Sequence, residues 1–454
     1  MAKLDRQALL DRLERALEAR SGHSGSVRIE VPLEGIDPAA WLQAQRAAAK
    51  TYWANRDGTF EAAGVGVAHC VRADDPSDAV ALFAGLRNGL SAAHPDLRYY
   101  GGMTFDAAYP DAAPWGAFGA CRFIVPRFEV VGRRERTYFA CNARVGSDGQ
   151  CEEELADVRA ALEALEFGRP PSVERLPEVL SRCDRPDRDA WDRSVRDALG
   201  RIASGALDKV VLARETRFEF SEALDPLAVL RRVKATGAHA YRFCFQPSES
   251  SAFLGSSPER LYQCDGGEVR SEALAGTRPR GRSAEADAAL GAELLHSDKE
   301  VREHGFVMDC IRDALDGRCQ DVRCDEGLSL VKLPNCQHLV WRCEGRLAEG
   351  LCDAELVHAL HPTPAVGGHP TEAARAWIRA SEPFARGWYA GPVGWVGYDG
   401  SEFAIGIRSG LTAGRELRLY TGAGIVSGAT PDQEWDEIET KMDGLLNALT
   451  CNDP

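Results

Sequence analysis

The sequence has no uninterrupted apolar run long enough to span a bilayer, and its opening MAKLDRQALLDRLERALEAR is charged and amphipathic where a signal peptide would be apolar. That pattern predicts a cytoplasmic protein with no membrane contact. It also has no basic patch. With 69 acidic against 54 basic residues the net charge is −15, so a nucleic-acid or anionic-lipid surface would repel the chain. Its 14 cysteines run from Cys70 to Cys451 without a CxxC pair or a Cys/His cluster at zinc spacing, and in a reducing compartment they read as free, largely buried thiols. GxSxG, the Walker lysine and a serine or cysteine triad are missing, and GAGIVSG (422–428) has no surrounding βαβ unit to make it a dinucleotide fingerprint. Neither an internal repeat nor a low-complexity segment is present.

What is there is ordinary globular material: 454 residues, 44% hydrophobic and 27% charged. Alternating runs such as VRIEVPL (27–33) and FGACRFIVPRFEVVGR (118–133) predict strands, and helical spacing recurs at 4–20, 77–90, 152–167, 189–204 and 224–236. Further strands are expected at 241–246, 252–254, 337–344, 391–397, 403–409 and 417–426, with a hairpin over 260–275 turning at Gly266-Gly267. One long helix is expected from 284 to 315. Strands and helices come in blocks, without strict βαβ alternation, so the prediction is an α+β fold: a large α/β sandwich of mostly antiparallel sheets with helices outside. The proline-punctuated stretch RPPSVERLPEVLSRCDRPDR (169–188) divides a β-rich region, 1–188, that completes the sheets from a catalytic region, 189–454, within one intertwined unit.

Three features could carry chemistry. In LDKVVLARE (207–215), Lys209 stands at the mouth of the β-branched run Val210–Leu212; a lysine held at the edge of a dry strand loses proton affinity and can act as a base. In the last helix Thr430, Pro431 and Gln433 form an N-cap signature that fixes the register, which puts Trp435, Ile438, Met442 and Leu445 on the apolar stripe and Glu434, Glu437 and Lys441 beside it. HSDKEVREHGF (296–306) likewise presents Glu300 and Glu303 on one helical face. Two helices offering carboxylates is how a protein holds a hard dication, although a solvated acidic face explains each helix taken alone. The turns FLGSSPER, ALAGTRPRG and YTGAGIVSG allow close backbone approach to an anion or simply a tight hairpin.

Taken together and in order, LDKVVLARE, FLGSSPERL, EALAGTRPRG, SDKEVREH, HPTPAVGG, the IRSG around Arg408, YTGAGIVSG and EWDEIETK resemble the chorismate-utilising enzymes (anthranilate synthase component I-like), and among them the isochorismate synthases. The match is dense over 189–449 and looser across the N-terminal strands. The resemblance implies an isomerase that interconverts chorismate and isochorismate, water adding at ring C2 as the C4 hydroxyl leaves. It makes Lys209 the base and Glu259 the acid, Glu303 and Glu437 the Mg²⁺ carboxylates, and Glu300 and Glu434 their partners through water. Arg408, Lys441 and the backbone N–H groups of Gly276, Thr277, Gly422, Ala423 and Gly424 would hold the substrate's carboxylates, and His338, in NCQHL, matches a family histidine near the same pocket. Ammonia-using relatives typically carry glutamine at the position of Lys209, so water is the implied nucleophile and no glutaminase subunit is expected. Ala365 stands where salicylate-forming relatives tend to place threonine, which favours stopping at isochorismate over eliminating pyruvate. A catechol siderophore, menaquinone and salicylate all remain open as destinations of the product. A monomer or weak dimer is expected.

Overall fold

The β-branched run after Lys209 continues as one strand, Lys209–Phe220, buried along almost its whole length. In the computed structural model, which describes residues 4–20, 24–75, 78–106, 114–134, 136–145, 151–168, 176–236, 239–332 and 336–450, this strand lies near one end of a 12-stranded sheet. The order is Gly25–Pro32, Arg136–Val145, Phe128–Arg133, Phe60–Val65, Lys50–Ala54, Tyr241–Ser248, Ser251–Ser257, Ser409–Ala413, Glu416–Ile425, the lysine strand and Gly368–His369, with Val179–Arg185 also pairing the lysine strand. A 10-stranded sheet runs Cys319–Cys324, Cys336–Leu347, Glu268–Pro279, Arg260–Asp265, Gly400–Ile405, Pro392–Gly397, Arg98–Met103, Cys121–Val125 and His69–Ala73, with Ser329–Lys332 on Cys336–Leu347. The pairings are antiparallel throughout, as in Lys50–Ala54 against Tyr241–Ser248 and Arg98–Met103 against Pro392–Gly397. Both sheets therefore mix strands from the two halves of the sequence.

Aromatic side chains fill the main core: Trp53, Phe83, Trp115, Phe123, Phe253, Trp388, Phe403 and Tyr420 are all essentially inaccessible. A second cluster, with Leu9, Leu13, Trp41 and Phe139, is sealed by the helix Arg6–Glu18. No helix among the described residues is long and apolar enough to cross a membrane.

Several expectations change on contact with the structure. The helix expected over 284–315 is two, Ala284–Leu295 and Asp298–Asp316. Ser297 breaks it by capping the second helix, its hydroxyl accepting from the Glu300 N–H. Val301, on that helix, is exposed. Cys324 and Cys343 are not free: they sit opposite each other on neighbouring strands and form a disulfide. The proline-rich connection holds a strand, Val179–Arg185, and short elements at Pro38–Ala44, Cys319–Cys324, Ser329–Lys332 and Asp353–Leu360 carried too little periodicity to be anticipated. The final helix, Pro431–Thr450, starts as expected, with Thr430 Oγ accepting from the Gln433 N–H. Ile438 and Met442 are fully buried, worth about 1.5–3 kcal/mol each.

Candidate active site

Two corners where the chain passes from one sheet to the other place the first functional groups. Pro258 and Glu259 join Ser251–Ser257 of the larger sheet to Arg260–Asp265 of the smaller; Gly406, Ile407 and Arg408 join Gly400–Ile405 of the smaller to Ser409–Ala413 of the larger. The corners are tied to their surroundings by backbone bonds. Glu259 C=O accepts from the Ile405 N–H at 3.1 Å and Arg408 C=O accepts from the Ser256 N–H at 3.0 Å, while the Glu259 N–H donates to Ser257 Oγ at 3.3 Å. Arg408 holds φ 51°, a left-handed conformation that a bulky residue adopts only when its surroundings impose it. Its guanidinium donates to the Lys441 carbonyl of the final helix at 3.0 Å.

Lys209 is only 4% exposed. Its neighbours on the open edge are Gly368–His369, and the strand beyond is clamped by Arg386, which donates to the carbonyls of Val211 (2.7 Å) and Val366 (2.8 Å) while paired with Glu382. The Lys209 ammonium lies 3.6 Å from Glu303. Burial lowers its proton affinity; Glu303 and Glu259 oppose that shift and Lys441 adds to it. Glu259 shifts the other way, its carboxyl pushed up to about 7 by burial, with Lys209 and Lys441 opposing and Glu272 reinforcing. The site therefore pairs a lysine less basic than usual with a carboxyl that holds a proton in about half of the molecules near neutral pH.

Strand alternation explains the glycines of YTGAGIVSG. Ala423 points into the core, whereas Gly422 and Gly424 face the site. A Cβ on Gly424 would stand 3.1 Å from Glu303 Oε2 and 3.2 Å from Lys209 Cε, and one on Gly422 would stand 3.0 Å from the Tyr389 hydroxyl. The ladder with Ser409–Ala413 ends at Tyr420, so this stretch has the lysine strand on one side and the site on the other.

The acidic helices meet here because Asp298–Asp316 packs on Glu268–Pro279 and the final helix packs on Glu416–Ile425. One ammonium group, that of Lys299, bridges the two helices, and other cations pair with the remaining carboxylates. Lys299 is 3.0 Å from Glu434 and 4.0 Å from Glu303, Lys441 is 2.6 Å from Glu437 and donates to the Gly422 carbonyl at 2.9 Å, and Arg278 is 3.4 Å from Glu300. Burial raises the proton affinity of Glu303, as does the charge of Glu437, while Lys209 and Lys299 oppose them. Burial and Glu437 also raise Glu434. Burial acts in the same direction on Glu437, but Lys441 and the other two lysines outweigh it and hold that carboxyl low. Among the described residues no three metal-binding side chains converge as placed. The donor set nevertheless suits a hard dication, since it is all carboxylate, with Glu303 and Glu434 largely buried and Glu437 exposed, and one oxygen of Glu434 has no hydrogen-bond partner.

His338 and Gly276 are brought together as well, the His338 Nδ1 lying 3.0 Å from the Gly276 carbonyl and its Nε2 3.1 Å from the Cys336 sulfur. Burial keeps His338 below the usual histidine range. Gly276 takes φ 61°, and the Thr277 side chain lies outside the described residues. Ala365 is half-buried in the loop preceding Gly368–His369.

A family model described as chorismate binding enzyme matches residues 11–450. The chain belongs to the chorismate-binding enzyme family. Among members, the chloroplastic isochorismate synthase of Catharanthus roseus is 34% identical over 96% of this chain and 82% of its own. Isochorismate synthase MenF of Escherichia coli (strain K12) is 31% identical, with 93% of each chain covered. A solved structure of the E. coli menaquinone-specific isochorismate synthase, MenF, superimposes with a TM-score of 0.85 at 30% identity, over 98% of this chain and 99% of that one. The fold is shared with anthranilate synthase component I from Streptococcus pneumoniae, with a TM-score of 0.67 at 19% identity. Against the family motifs, reading the sequence missed three residues with functional neighbours. Lys299 lies inside SDKEV and is placed by helical spacing, one turn before Glu303, so that signal was available. Glu272 opens the motif EALAGTRPRG but was given no role, and its partner Arg56 lies outside every motif, so the two meet only in three dimensions.

Proposed function

We propose that this chain is an isochorismate synthase, interconverting chorismate and isochorismate. The observation that carries the reading is the buried Lys209 amine 3.6 Å from Glu303, in one desolvated pocket with a Glu259 carboxyl titrating near 7. In the forward direction Lys209, as the free amine, takes a proton from the water that attacks ring C2. Glu259 gives its proton to the C4 hydroxyl, which leaves as water while the ring double bonds shift. The step ends with an ammonium and a carboxylate, so the reverse reaction runs with the two roles exchanged. Because burial brings the two proton affinities towards each other, neither direction meets a large proton-transfer penalty.

Chorismate is a dianion approaching a protein of net charge −15, so the pocket must concentrate positive charge locally. Arg408 and Lys441, anchored to one another through the final helix, supply it, together with backbone N–H groups at Gly276, Thr277, Gly422, Ala423 and Gly424. Glu303 and Glu437 are the residues that would hold Mg²⁺, with Glu300 and Glu434 next to them; bound there, the ion would neutralise the ring carboxylate and charge developing on it. Since the nucleophile is water, the chain needs no ammonia-delivering subunit, and we expect a monomer or weak dimer in the cytoplasm. The test is incubation with chorismate and Mg²⁺ followed by separation of the products. Isochorismate without pyruvate is expected; stoichiometric pyruvate without an added lyase would assign the chain to salicylate formation, and no turnover would reduce it to a binding protein.

A further inference from the structure

The mechanism leaves unused a buried charged cluster that begins in the N-terminal half. Asn55, Arg56, Asp57 and Gly58 form the tight turn between Lys50–Ala54 and Phe60–Val65. The Asn55 side chain locks it, accepting from the N–H groups of Thr59 and Phe60, both at 3.0 Å, and Gly58 takes φ 68°. The turn aims Arg56 across the larger sheet. Its guanidinium forms a two-pronged pair with Glu272, whose side chain is 4% exposed, the second prong at 3.0 Å, and donates to the carbonyl of Pro258 at 3.3 Å. Pro258 is the residue immediately before Glu259. Arg260, immediately after, is 3.8 Å from the same Glu272 and donates to Tyr241 Oη at 2.8 Å. Arg56 also lies over the Tyr241 ring, 5.7 Å from its centroid. The peptide that carries Glu259 is thus gripped on both flanks by one carboxylate and two guanidinium groups.

We propose that Arg56 and Glu272 are positioning residues for Glu259: Arg56 fixes the corner on which the proton donor is mounted, and Glu272 supplies the negative charge behind it. This rests on the assignment of Glu259 as the acid. The charged groups facing the Glu259 carboxyl are Lys209 of the lysine strand, Lys441 of the final helix and Glu272 of Glu268–Pro279. The two cations favour the carboxylate, and Glu272 is the counterweight that favours the acid. Arg56 limits that counterweight by neutralising Glu272. A guanidinium is required because one planar fork must reach two carboxylate oxygens and a carbonyl together, which an ammonium on a single stem does not do.

The experiment measures kcat and KM for chorismate with Mg²⁺ across roughly pH 6 to 9 in Arg56→Met, Arg56→Lys, Glu272→Gln and Glu259→Gln. Glu272→Gln should move the alkaline limb of kcat to lower pH, and Arg56→Met should move it to higher pH while lowering kcat at the optimum about 10- to 100-fold with KM little changed. Arg56→Lys should return the limb towards its original position but recover only part of the rate. A merely structural cluster would lower the yield of folded enzyme and leave the limb in place. If Glu259→Gln is inactive and neither Arg56→Met nor Glu272→Gln displaces the limb, or both displace it the same way, the inference is overturned while the assignment of the acid stands. Near-wild-type turnover by Glu259→Gln removes the acid itself, and the positioning role with it.

Discussion

Replacing Glu259 by glutamine should make the protein less active and, in alkali, more stable. A carboxyl that titrates at about 7 where its ordinary value is 4.5 costs about 3 kcal/mol more to ionise in place than in water. The folded value lies above the unfolded one, so the folded state binds the proton more tightly. The stability this contributes is fully present below 4.5 and is lost as the pH rises through about 7. Glutamine fills the same volume and does not titrate. Relative to wild type, Glu259→Gln should therefore gain about 2.5 kcal/mol between about pH 5 and pH 8.5, a rise of several degrees in Tm, while kcat at neutral pH falls by about 10²–10⁴. Thermal unfolding followed by circular dichroism at the two pH values, without substrate, measures the difference. A Tm difference that is the same at both would refute the reasoning, because a carboxyl ionised throughout gives no such slope.

Lys209→Met should lower kcat by about 10²–10⁴ without a comparable change in KM, read from initial rates of isochorismate formation. Gly424→Ala puts a methyl 3.1 Å from Glu303 Oε2 and 3.2 Å from Lys209 Cε, so it should cost roughly tenfold or more in kcat while the melting curve hardly moves. Arg386→Met leaves the Glu382 carboxylate, 4% exposed, without its partner, and should cost about 3–5 kcal/mol in denaturant unfolding.

Part of this site is written in local periodicity, while Glu259, Arg408 and His338 were named only through the resemblance to the family motifs. The N-cap at Thr430 fixed the face on which Glu434, Glu437 and Lys441 lie, and the β-branched run after Lys209 identified the strand. What escaped reading has no local signature. Ser297 ends one helix and starts another inside a stretch whose helical spacing barely falters, so only the capping hydrogen bond reveals the break. Cys324 and Cys343 meet because two strands pair, and no spacing in the sequence predicts that pairing. Arg56 reaches Glu272 across 216 positions of sequence, through the stacking of one sheet corner on another. Glu272 sits within a family motif, but the partner that holds it, Arg56, is brought to it by topology alone.

The most direct test of the central claim is the isotope content of product formed by the wild-type protein from chorismate and Mg²⁺ in water enriched in ¹⁸O. An amine that activates solvent for attack at C2 requires every isochorismate formed in a single turnover to carry one solvent oxygen in its new hydroxyl. Isochorismate with no solvent label would mean that the hydroxyl had migrated within the substrate, and Lys209 could not be the base that delivers water.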